Sequence, residues 1–250
     1  MSGQWARAVV VGASSGIGEA VARQLGRQGT RVALLARRET LLRDIAAEIN
    51  QAAGLDLATV YPVDVREWER AGPLLNQIVE SLGGLDLLVY ASGVMPHHRG
   101  SDHPTREDIE AIEVNLGGAV AWTNAAVELM LPHRSGTIVG ISSIAGERGR
   151  AGNPVYNATK AGLNVYLESV RCRVATRGLA VVTVKPGFVR TQMVGSRLLF
   201  PPAVSSERAA RDILRGVAER KRVIWVPWWW EWIGSLLRWA PPAVLERLRV

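Results

Sequence analysis

The stretch Ala8-Val-Val-Val-Gly-Ala-Ser-Ser-Gly-Ile-Gly18 decides the fold. Its apolar start, rich in β-branched valine, predicts a short buried strand, and a helical pattern continues through Gln28. Glycine lets the backbone approach a pyrophosphate closely, and the N–H groups at the start of the helix would face that anion. A tight turn without a ligand is the alternative. The order of strand, glycine loop and helix favours a phosphate site formed by Gly12, Ser14, Ser15, Gly16, Ile17 and Gly18.

Short buried strands and longer helices alternate along the rest of the chain. Further strands are predicted at 31–35, 57–61, 85–90, 137–141, 180–184 and 223–226. Helices are predicted at 39–53, 68–82, 106–131, 154–177 and 206–220. The alternation predicts right-handed βαβ crossovers and therefore an α/β fold, a single-domain Rossmann doubly wound parallel sheet of about seven strands with helices on both faces. We expect residues 1–226 to form this dinucleotide-binding and catalytic domain and residues 227–250 a Trp-rich helical extension.

The composition is that of an ordinary globular protein, with 48% hydrophobic and 21% charged residues among 250. The formal net charge is +7, but the basic residues are scattered, so we expect no nucleic-acid partner. The single cysteine, Cys172, excludes an internal disulfide, and we expect it to serve in packing rather than in a metal site. The chain starts without a signal-peptide pattern and has no apolar run long enough to span a bilayer, so we expect a cytoplasmic protein.

Tyr156 and Lys160 lie four residues apart in a predicted helix that begins near Pro154, so they share one helix face. An ammonium beside a phenol is expected to lower the tyrosine pKa from about 10 towards neutrality. A phenol tuned in this way can give or take a proton. Ser143, at the end of the strand predicted at 137–141, can hydrogen-bond the same substrate oxygen. The alternative for the pair alone is a core tyrosine and a solvated lysine.

Two arginines follow the second predicted strand where a dinucleotide site that binds NAD would carry a carboxylate. An arginine can accept a 2′-phosphate in a bidentate fork. We therefore expect NADPH/NADP as the cofactor, with NAD less favoured, Arg37 as the main anion partner and Arg38 as the second. Asp64, just past the third strand, is placed to bind the adenine amino group, with a turn-forming aspartate as the alternative.

These residues together resemble the short-chain dehydrogenase/reductase superfamily in its NADP-preferring type. The resemblance covers about residues 6–226. It rests on Gly12-x-x-x-Gly16-Ile-Gly18, Asp64-Val65, Asn115, Ser143, Tyr156-x-x-x-Lys160 and Pro186-Gly187 with Thr191. It implies that Tyr156 is the general acid for reduction and the base for oxidation, and that Ser143 polarises the carbonyl. It also implies that Lys160 binds the nicotinamide ribose and that Asn115 holds a water that feeds protons to Lys160.

The family motif Asn-Asn-Ala-Gly after the fourth strand is replaced here by Tyr90-Ala91-Ser92-Gly93. Ser92 would supply part of the hydrogen bonding that the asparagine amides give in the family. The resemblance also implies contacts that wrap the nicotinamide end. The cofactor contacts implied outside the glycine loop are Val65, Ala91, Ser92, Gly93, Tyr156, Lys160, Pro186, Gly187, Val189 and Thr191.

The function that the resemblance implies is NADPH-dependent reduction of a ketone or aldehyde to an alcohol, in a homodimer or homotetramer. An apolar wall after Gly187 favours a hydrophobic substrate; its residues are Met193, Leu198, Leu199, Phe200, Pro201 and Pro202. We expect four loop residues to be solvated, namely His97, His98, Arg148 and Arg150. The alternative is that they bind a polar group of the substrate. Other functions left open are reduction of a lipid or isoprenoid carbonyl at a membrane surface and NADPH binding without catalysis.

The segment from Trp225 to Trp239 is rich in tryptophan. Helical spacing places Glu231, Gly234, Ser235 and Arg238 on one side, and it places Trp229, Trp232, Ile233, Leu236 and Leu237 on the other. Such an amphipathic helix can pack on the protein or on another subunit. Tryptophan with flanking arginine also suits a membrane interface, where the helix would lie flat. Both interpretations stay open at this point.

Overall fold

The structure of the protein, a computed structural model, describes residues 4–96, 104–193 and 201–247. The strands are β1 (Arg7–Val11), β2 (Arg31–Ala36), β3 (Ala58–Pro62), β4 (Leu87–Tyr90), β5 (Thr137–Ile141), β6 (Ala180–Pro186), β7 (Val189–Arg190), β8 (Val204–Ser205) and β9 (Val223–Val226). The helices are α1 (Gly16–Arg27), α2 (Glu39–Ala53), α3 (Ala71–Leu82), α4 (Thr105–Ile112), α5 (Gly118–Met130), α6 (Pro154–Val174), α7 (Ser206–Ala218), α8 (Trp230–Trp239) and α9 (Pro242–Arg247).

Seven strands pair in parallel in the order β3-β2-β1-β4-β5-β6-β9. The chain builds outward from β1 to one edge and then returns to continue on its other side with β4. In this register Val11, the last residue of β1, pairs with Leu35 of β2 and with Tyr90 of β4. The loops that follow β1 and β4 therefore leave the sheet side by side, at a topological switch point where ligands of such sheets bind. The predicted Rossmann sheet of seven strands is confirmed.

Helices cover both faces of the sheet because each strand carries apolar residues on both of its sides. One core lies under α1, α2 and α7 and includes Val10 and Leu34. The other lies under α3, α5 and α6 and includes Val9 and Leu35. Alternate residues of the same strand thus enter opposite cores, as a parallel sheet buried on both sides requires.

The helix predicted at 106–131 is divided into α4 and α5 by a π turn, Glu113–Gly117. Turns of this kind insert one residue into a helix and often occur at functional sites. Here the turn places Asn115 fully inside the protein. The sequence pattern is continuous through this region, so the hydrophobic period alone could not have located the interruption. The short pair β7 and β8 was also not predicted, since two residues carry no period.

The Trp-rich segment forms α8, which contacts β9 and the 3₁₀ turn Ile144–Glu147. Gly234 is buried, although the spacing places it on the polar side, and Trp232 and Leu236 are exposed. The protein thus covers only part of the apolar side of the helix. The expected packing role of Cys172 is wrong, because its side chain is exposed on α6. None of the helices in the described ranges has the length and apolar content that crossing a bilayer requires.

Candidate active site

The glycine loop after β1 is held against two neighbouring segments. The backbone N–H groups of Gly12 and Ala13 both donate to the carbonyl of Leu35, at 2.7 and 3.0 Å. Gly12 has a φ of +91°, and a Cβ there would lie 2.5 Å from the backbone nitrogen of Ser92. A Cβ on Gly18 would lie 2.1 Å from the carbonyl oxygen of Gly12. Side chains are therefore excluded at both positions, and backbone groups alone form this surface.

A cleft of about 560 Å³ opens along the carboxyl ends of the strands. Every residue predicted to touch the cofactor lines it, except Gly18 and Asp64. Of the four predicted catalytic residues, Ser143, Tyr156 and Lys160 line the cleft, and Asn115 lies behind its wall. Met193 also lines the cleft. His97, His98, Leu198, Leu199 and Phe200 lie outside the described residues.

The two arginines after β2 have different surroundings. Arg38 reaches over the glycine loop, where its guanidinium donates to the hydroxyls of Ser14 at 3.0 Å and of Ser15 at 2.7 Å. It also donates to the Gln192 side chain at 3.2 Å. Arg37 instead lies 3.2 Å from Glu110 and 3.7 Å from Asp64. The side-chain groups that Arg38 contacts in the glycine loop are neutral hydroxyls. The positive charge of Arg37, in contrast, is partly compensated by two carboxylates. Gln192 was missed by the sequence analysis, since no motif includes it.

Asp64 is engaged by arginine rather than turned into the cleft. Its carboxylate accepts from the Arg66 guanidinium at 2.7 Å and from the Arg66 backbone N–H at 3.0 Å. The hydrogen bond from Arg66 lowers the pKa of Asp64, and the charge of Arg37 acts in the same direction. The next residue, Val65, does line the cleft. The predicted contact of Asp64 with adenine stays a prediction.

Tyr156 and Lys160 share one wall of the cleft, as their spacing on α6 requires. The Nζ of Lys160 lies 5.7 Å from the centre of the Tyr156 ring and donates to the carbonyl of Ile141 at 3.0 Å. Lys160 is almost fully buried, and this burial lowers its pKa to about 8. The strand end at Ile141 and the helix thus hold the ammonium in place.

The expectation that Lys160 brings the pKa of Tyr156 towards neutrality is wrong, because the protein surroundings of Tyr156 raise that pKa overall. Burial raises the pKa of Tyr156 above its ordinary value. Two other groups pull this pKa down, namely the hydrogen-bonded hydroxyl of Ser143 and the positive charge of Arg150. Because desolvation disfavours both the phenolate and the ammonium, proximity alone does not tune the tyrosine. Arg150, expected to be a solvated loop residue, is partly buried and interacts with Tyr156.

Asn115 joins the segment after β4 to α6. Its Oδ1 accepts from the Val94 N–H at 2.8 Å, and its Nδ2 donates to the Val94 carbonyl at 2.9 Å and to Thr159 Oγ1 at 3.1 Å. A Cβ on Gly93 would lie 3.4 Å from Asn115 Oδ1 and 3.6 Å from Lys160 Nζ. The amide thus fixes the backbone beside Lys160. Its implied role in holding a water stays a prediction.

Thr191 lies over the glycine loop, where a Cβ on Gly16 would come 3.1 Å from its Cγ2. The resemblance places it at the nicotinamide end with Gly187. Gly187 itself is covered by the Trp-rich tail, since a Cβ there would lie 2.0 Å from Cε2 of Trp230. Trp230 is buried, and its ring meets that of Phe188 edge-on at 5.1 Å.

A buried ion pair supports the same end of the cleft. The ammonium of Lys185, one residue before Pro186, lies 2.5 Å from Glu147 Oε1, and the side chains are only 9% and 1% exposed. The other oxygen of Glu147 pairs with Arg238 of α8. Lys185 also lies 4.9 Å from the ring centre of Trp225. The sequence contained a signal for this pair, because a lysine within the apolar run of β6 requires a buried partner.

The residues present fit a nicotinamide dinucleotide. Gly12 and Gly18 form a cradle in which any Cβ would collide with backbone, so a phosphate can approach the chain closely. Arg38, Ser14 and Ser15 bring cationic and hydroxyl donors to the same loop. No group of three or more His, Cys, Asp or Glu side chains suited to a metal ion occurs within the described ranges.

Residues 6–199 match the short chain dehydrogenase family. The chain belongs to this family. Proteins similar to it include an uncharacterized oxidoreductase of Staphylococcus aureus, which is 31% identical over 84% of this chain and 88% of its own. An uncharacterized oxidoreductase of Myxococcus xanthus is 33% identical over 88% of this chain and 87% of its own. The predicted enzyme class, an NAD(P)-dependent dehydrogenase/reductase, is confirmed.

Solved structures share the fold of this chain. An alcohol dehydrogenase from the archaeon Thermococcus sibiricus, complexed with 5-hydroxy-NADP, is 26% identical, has a TM-score of 0.79 and is matched over 89% of this chain and 95% of its own. A short-chain dehydrogenase from Sphingobium yanoikuyae in complex with NADPH has a TM-score of 0.82 at 21% identity, with 95% of this chain and 97% of that one covered. The second likeness shows the fold alone.

Proposed function

We propose that this short-chain dehydrogenase reduces a ketone or aldehyde to an alcohol with NADPH. The observation that carries the proposal is the convergence of Ser143, Tyr156 and Lys160 on one cleft with the glycine loop at its other end. NADPH supplies the hydride when it is bound. The protein supplies orientation of the carbonyl and a proton at the Tyr156 hydroxyl.

Ser143 and Tyr156 would hold the carbonyl oxygen between two hydroxyl groups. Ser143 Oγ already accepts from the Ala145 N–H at 3.1 Å, so its own proton is free to point towards Tyr156 or substrate. The high pKa of Tyr156 keeps the phenol protonated at neutral pH, and this is the form that protonates an alkoxide.

The NADP preference is supported by Arg38 on the Ser14 and Ser15 hydroxyls and by the alcohol dehydrogenase complexed with 5-hydroxy-NADP. We assign the main 2′-phosphate contact to Arg38 and the second to Arg37, which is the reverse of the order expected from the sequence. The reason is charge compensation, since Arg37 faces Glu110 and Asp64. A guanidinium already paired with carboxylates offers less to a phosphate.

We propose that the substrate is hydrophobic, because the segment after Gly187 is rich in apolar residues. Among the described residues of that segment, Met193 lines the cleft, and neighbouring Val94 and Met95 add apolar surface. Pro201 and Pro202 are not among its lining residues. Assembly as a homodimer or homotetramer stays a prediction.

The test is NADPH oxidation with a panel of ketones, aldehydes and quinones, followed at 25 °C for the wild type and Tyr156→Phe. We expect Tyr156→Phe to lose about two or more orders of magnitude in kcat while it still binds NADPH. Tyr166→Phe, on the same helix but hydrogen-bonded to Asn124, is the matched control and should keep its activity. Binding of NADPH without turnover of any panel member by the wild type would favour the non-catalytic alternative.

The cofactor assignment is tested separately with Arg38→Ala and Arg37→Ala. We expect Arg38→Ala to lose more affinity for NADPH than Arg37→Ala, with little effect of either on NADH. Fluorescence titration with both nucleotides measures this. Equal losses for NADPH and NADH would show that the arginines do not read the 2′-phosphate.

A further inference from the structure

The outward face of α8 and of the turn before it is apolar. Trp228, Trp232, Leu236 and Trp239 are 67, 73, 75 and 83% exposed, and their spacing places them on one side of a helix. We name these four side chains the tryptophan face. Exposed apolar residues that occur singly need no explanation, but a contiguous face formed by three indoles marks a contact surface.

The inner side of the same helix packs against the rest of the protein. Gly234 packs so closely that a Cβ there would lie 2.4 Å from the ring of Trp225, and Trp230 is buried against Gly187. Arg238 is paired with Glu147. These contacts fix how α8 is rotated about its axis, so the tryptophan face cannot turn inward without breaking them. Within the part of the chain that the structure describes, no residue covers the tryptophan face.

The size and chemistry of the face distinguish among partners. Four side chains of this kind expose roughly 600–700 Å², which is below the approximately 800 Å² that each partner buries in a stable dimer. Indole rings prefer the membrane–water interface, where their apolar rings and their N–H groups are both satisfied. A helix lying in the interface plane needs only its outer side to be apolar.

The charge of the protein matches an anionic surface. The formal net charge is +7, and α8 itself adds no net charge, since it carries one acidic residue, Glu231, and one basic residue, Arg238. A net positive charge of the whole protein favours its association with an anionic membrane surface. We propose that the tryptophan face docks this protein on an anionic lipid surface, with α8 lying flat in the headgroup region. The proposal does not depend on the reaction assigned to the cleft.

The experiment is vesicle flotation of the full chain. The vesicles contain either phosphatidylglycerol mixed with phosphatidylcholine or phosphatidylcholine alone. The test variant is Trp232→Ser/Leu236→Ser/Trp239→Ser, and the matched control is Trp68→Ser, a tryptophan that is 61% exposed elsewhere on the surface. NADPH binding and thermal unfolding of each variant verify that it is folded. If the triple variant does not fold, the single variants Trp232→Ser and Trp239→Ser replace it.

We expect the wild type and Trp68→Ser to float with the phosphatidylglycerol vesicles. The triple variant should lose about tenfold or more in partitioning, and high salt should weaken wild-type binding. Three results would overturn the proposal: no flotation of the wild type, unchanged flotation of the triple variant, or equal binding to phosphatidylcholine alone. A wild-type dimer that the triple variant converts to a monomer, without vesicle binding, would assign the face to a second copy.

Discussion

The hydroxyl of Tyr90 donates a 2.5 Å hydrogen bond to the backbone carbonyl of Val114, inside the protein. Tyr90 stands where the family usually has an asparagine, and Val114 belongs to the π turn that carries Asn115. Gly118 leaves room for the hydroxyl, since a Cβ there would lie 2.5 Å from it. The altered motif therefore still supports the catalytic region, but through a phenol and a backbone carbonyl.

Removal of this hydroxyl is the first prediction. Tyr90→Phe leaves the Val114 carbonyl without this buried donor, so the free energy of unfolding should fall by about 1–3 kcal/mol. Because Asn115 is the next residue, we also expect a lower kcat. Urea unfolding and steady-state kinetics measure the two effects. Tyr166→Phe, whose hydroxyl is only partly buried and bonds Asn124, is the control. Unchanged stability of Tyr90→Phe would show that the bond contributes nothing.

The buried pair of Glu147 and Lys185 gives the second prediction. Glu147→Gln leaves the Lys185 ammonium buried without a counter-charge, and we expect a loss of about 3–5 kcal/mol in the free energy of unfolding. Arg238→Gln should cost about 1 kcal/mol or less, because Arg238 is 55% exposed. Chemical denaturation of both variants gives the comparison. A larger loss from Arg238→Gln would reverse the assigned importance of the two cations.

Arg150 supplies the third prediction. Its positive charge lowers the pKa of Tyr156, so Arg150→Met should raise that pKa. Alcohol oxidation needs the phenolate, and its pH–rate profile should therefore move to higher pH. Arg148→Met removes the same charge two residues away and serves as the control. A profile that stays in place for Arg150→Met would exclude this electrostatic role.

The fourth prediction concerns stability and Lys160. Burial lowers the pKa of Lys160 from 10.5 to about 8, so the folded protein releases this proton more readily than the unfolded chain. Below pH 8 Lys160 is charged in both the folded and the unfolded state, so its buried charge lowers the free energy of unfolding by the full amount. Between pH 8 and 10.5 the unfolded state binds more protons, and stability gained from this group rises with pH.

Comparison with Lys160→Met isolates the effect. The free energy of unfolding of the wild type relative to this variant should increase from pH 8 to pH 10 by about 2 kcal/mol. Denaturant titrations at a series of pH values measure the difference. A difference that is flat, or that falls with pH, would mean that the Lys160 pKa is not depressed.

The glycine loop gives a fifth prediction. In Gly18→Ala the new Cβ would collide with the Gly12 carbonyl at 2.1 Å, so the loop must shift and NADPH affinity should fall. Gly72→Ala is the matched control, because Gly72 is also helical and a Cβ there meets nothing within 4 Å. We expect that control to keep its affinity and to gain up to about 1 kcal/mol in stability. Fluorescence titration and thermal unfolding separate the two effects.

The sequence predicted the sheet and the cleft because both depend on local patterns. The apolar runs that became β1 and β5 are short, rich in β-branched residues and flanked by glycine, which is typical of buried strands. Ser143, Tyr156 and Lys160 could be placed from their spacing along one strand end and one helix face. These features are fixed by residues close together in the chain.

The features that the sequence could not predict depend on contacts between side chains that are distant in the chain or on their burial. Arg37 and Arg38 are adjacent, yet one faces Glu110 and the other Ser14, and their order in the chain does not determine this. The pKa of Tyr156 depends on desolvation, which spacing does not measure. The exposed face of α8 depends on how Gly234 packs, and helical periodicity could not show that the protein covers only part of the apolar side.

The contact of Trp230 with Gly187 has a consequence for altering substrate range. Residue 187 can accept a side chain only if residue 230 becomes smaller, so the two positions form one design unit. Mutant libraries confined to the residues that line the cleft would omit Trp230 and would therefore miss this coupling. Paired substitutions at 187 and 230 would allow side chains at residue 187 that a single substitution there excludes.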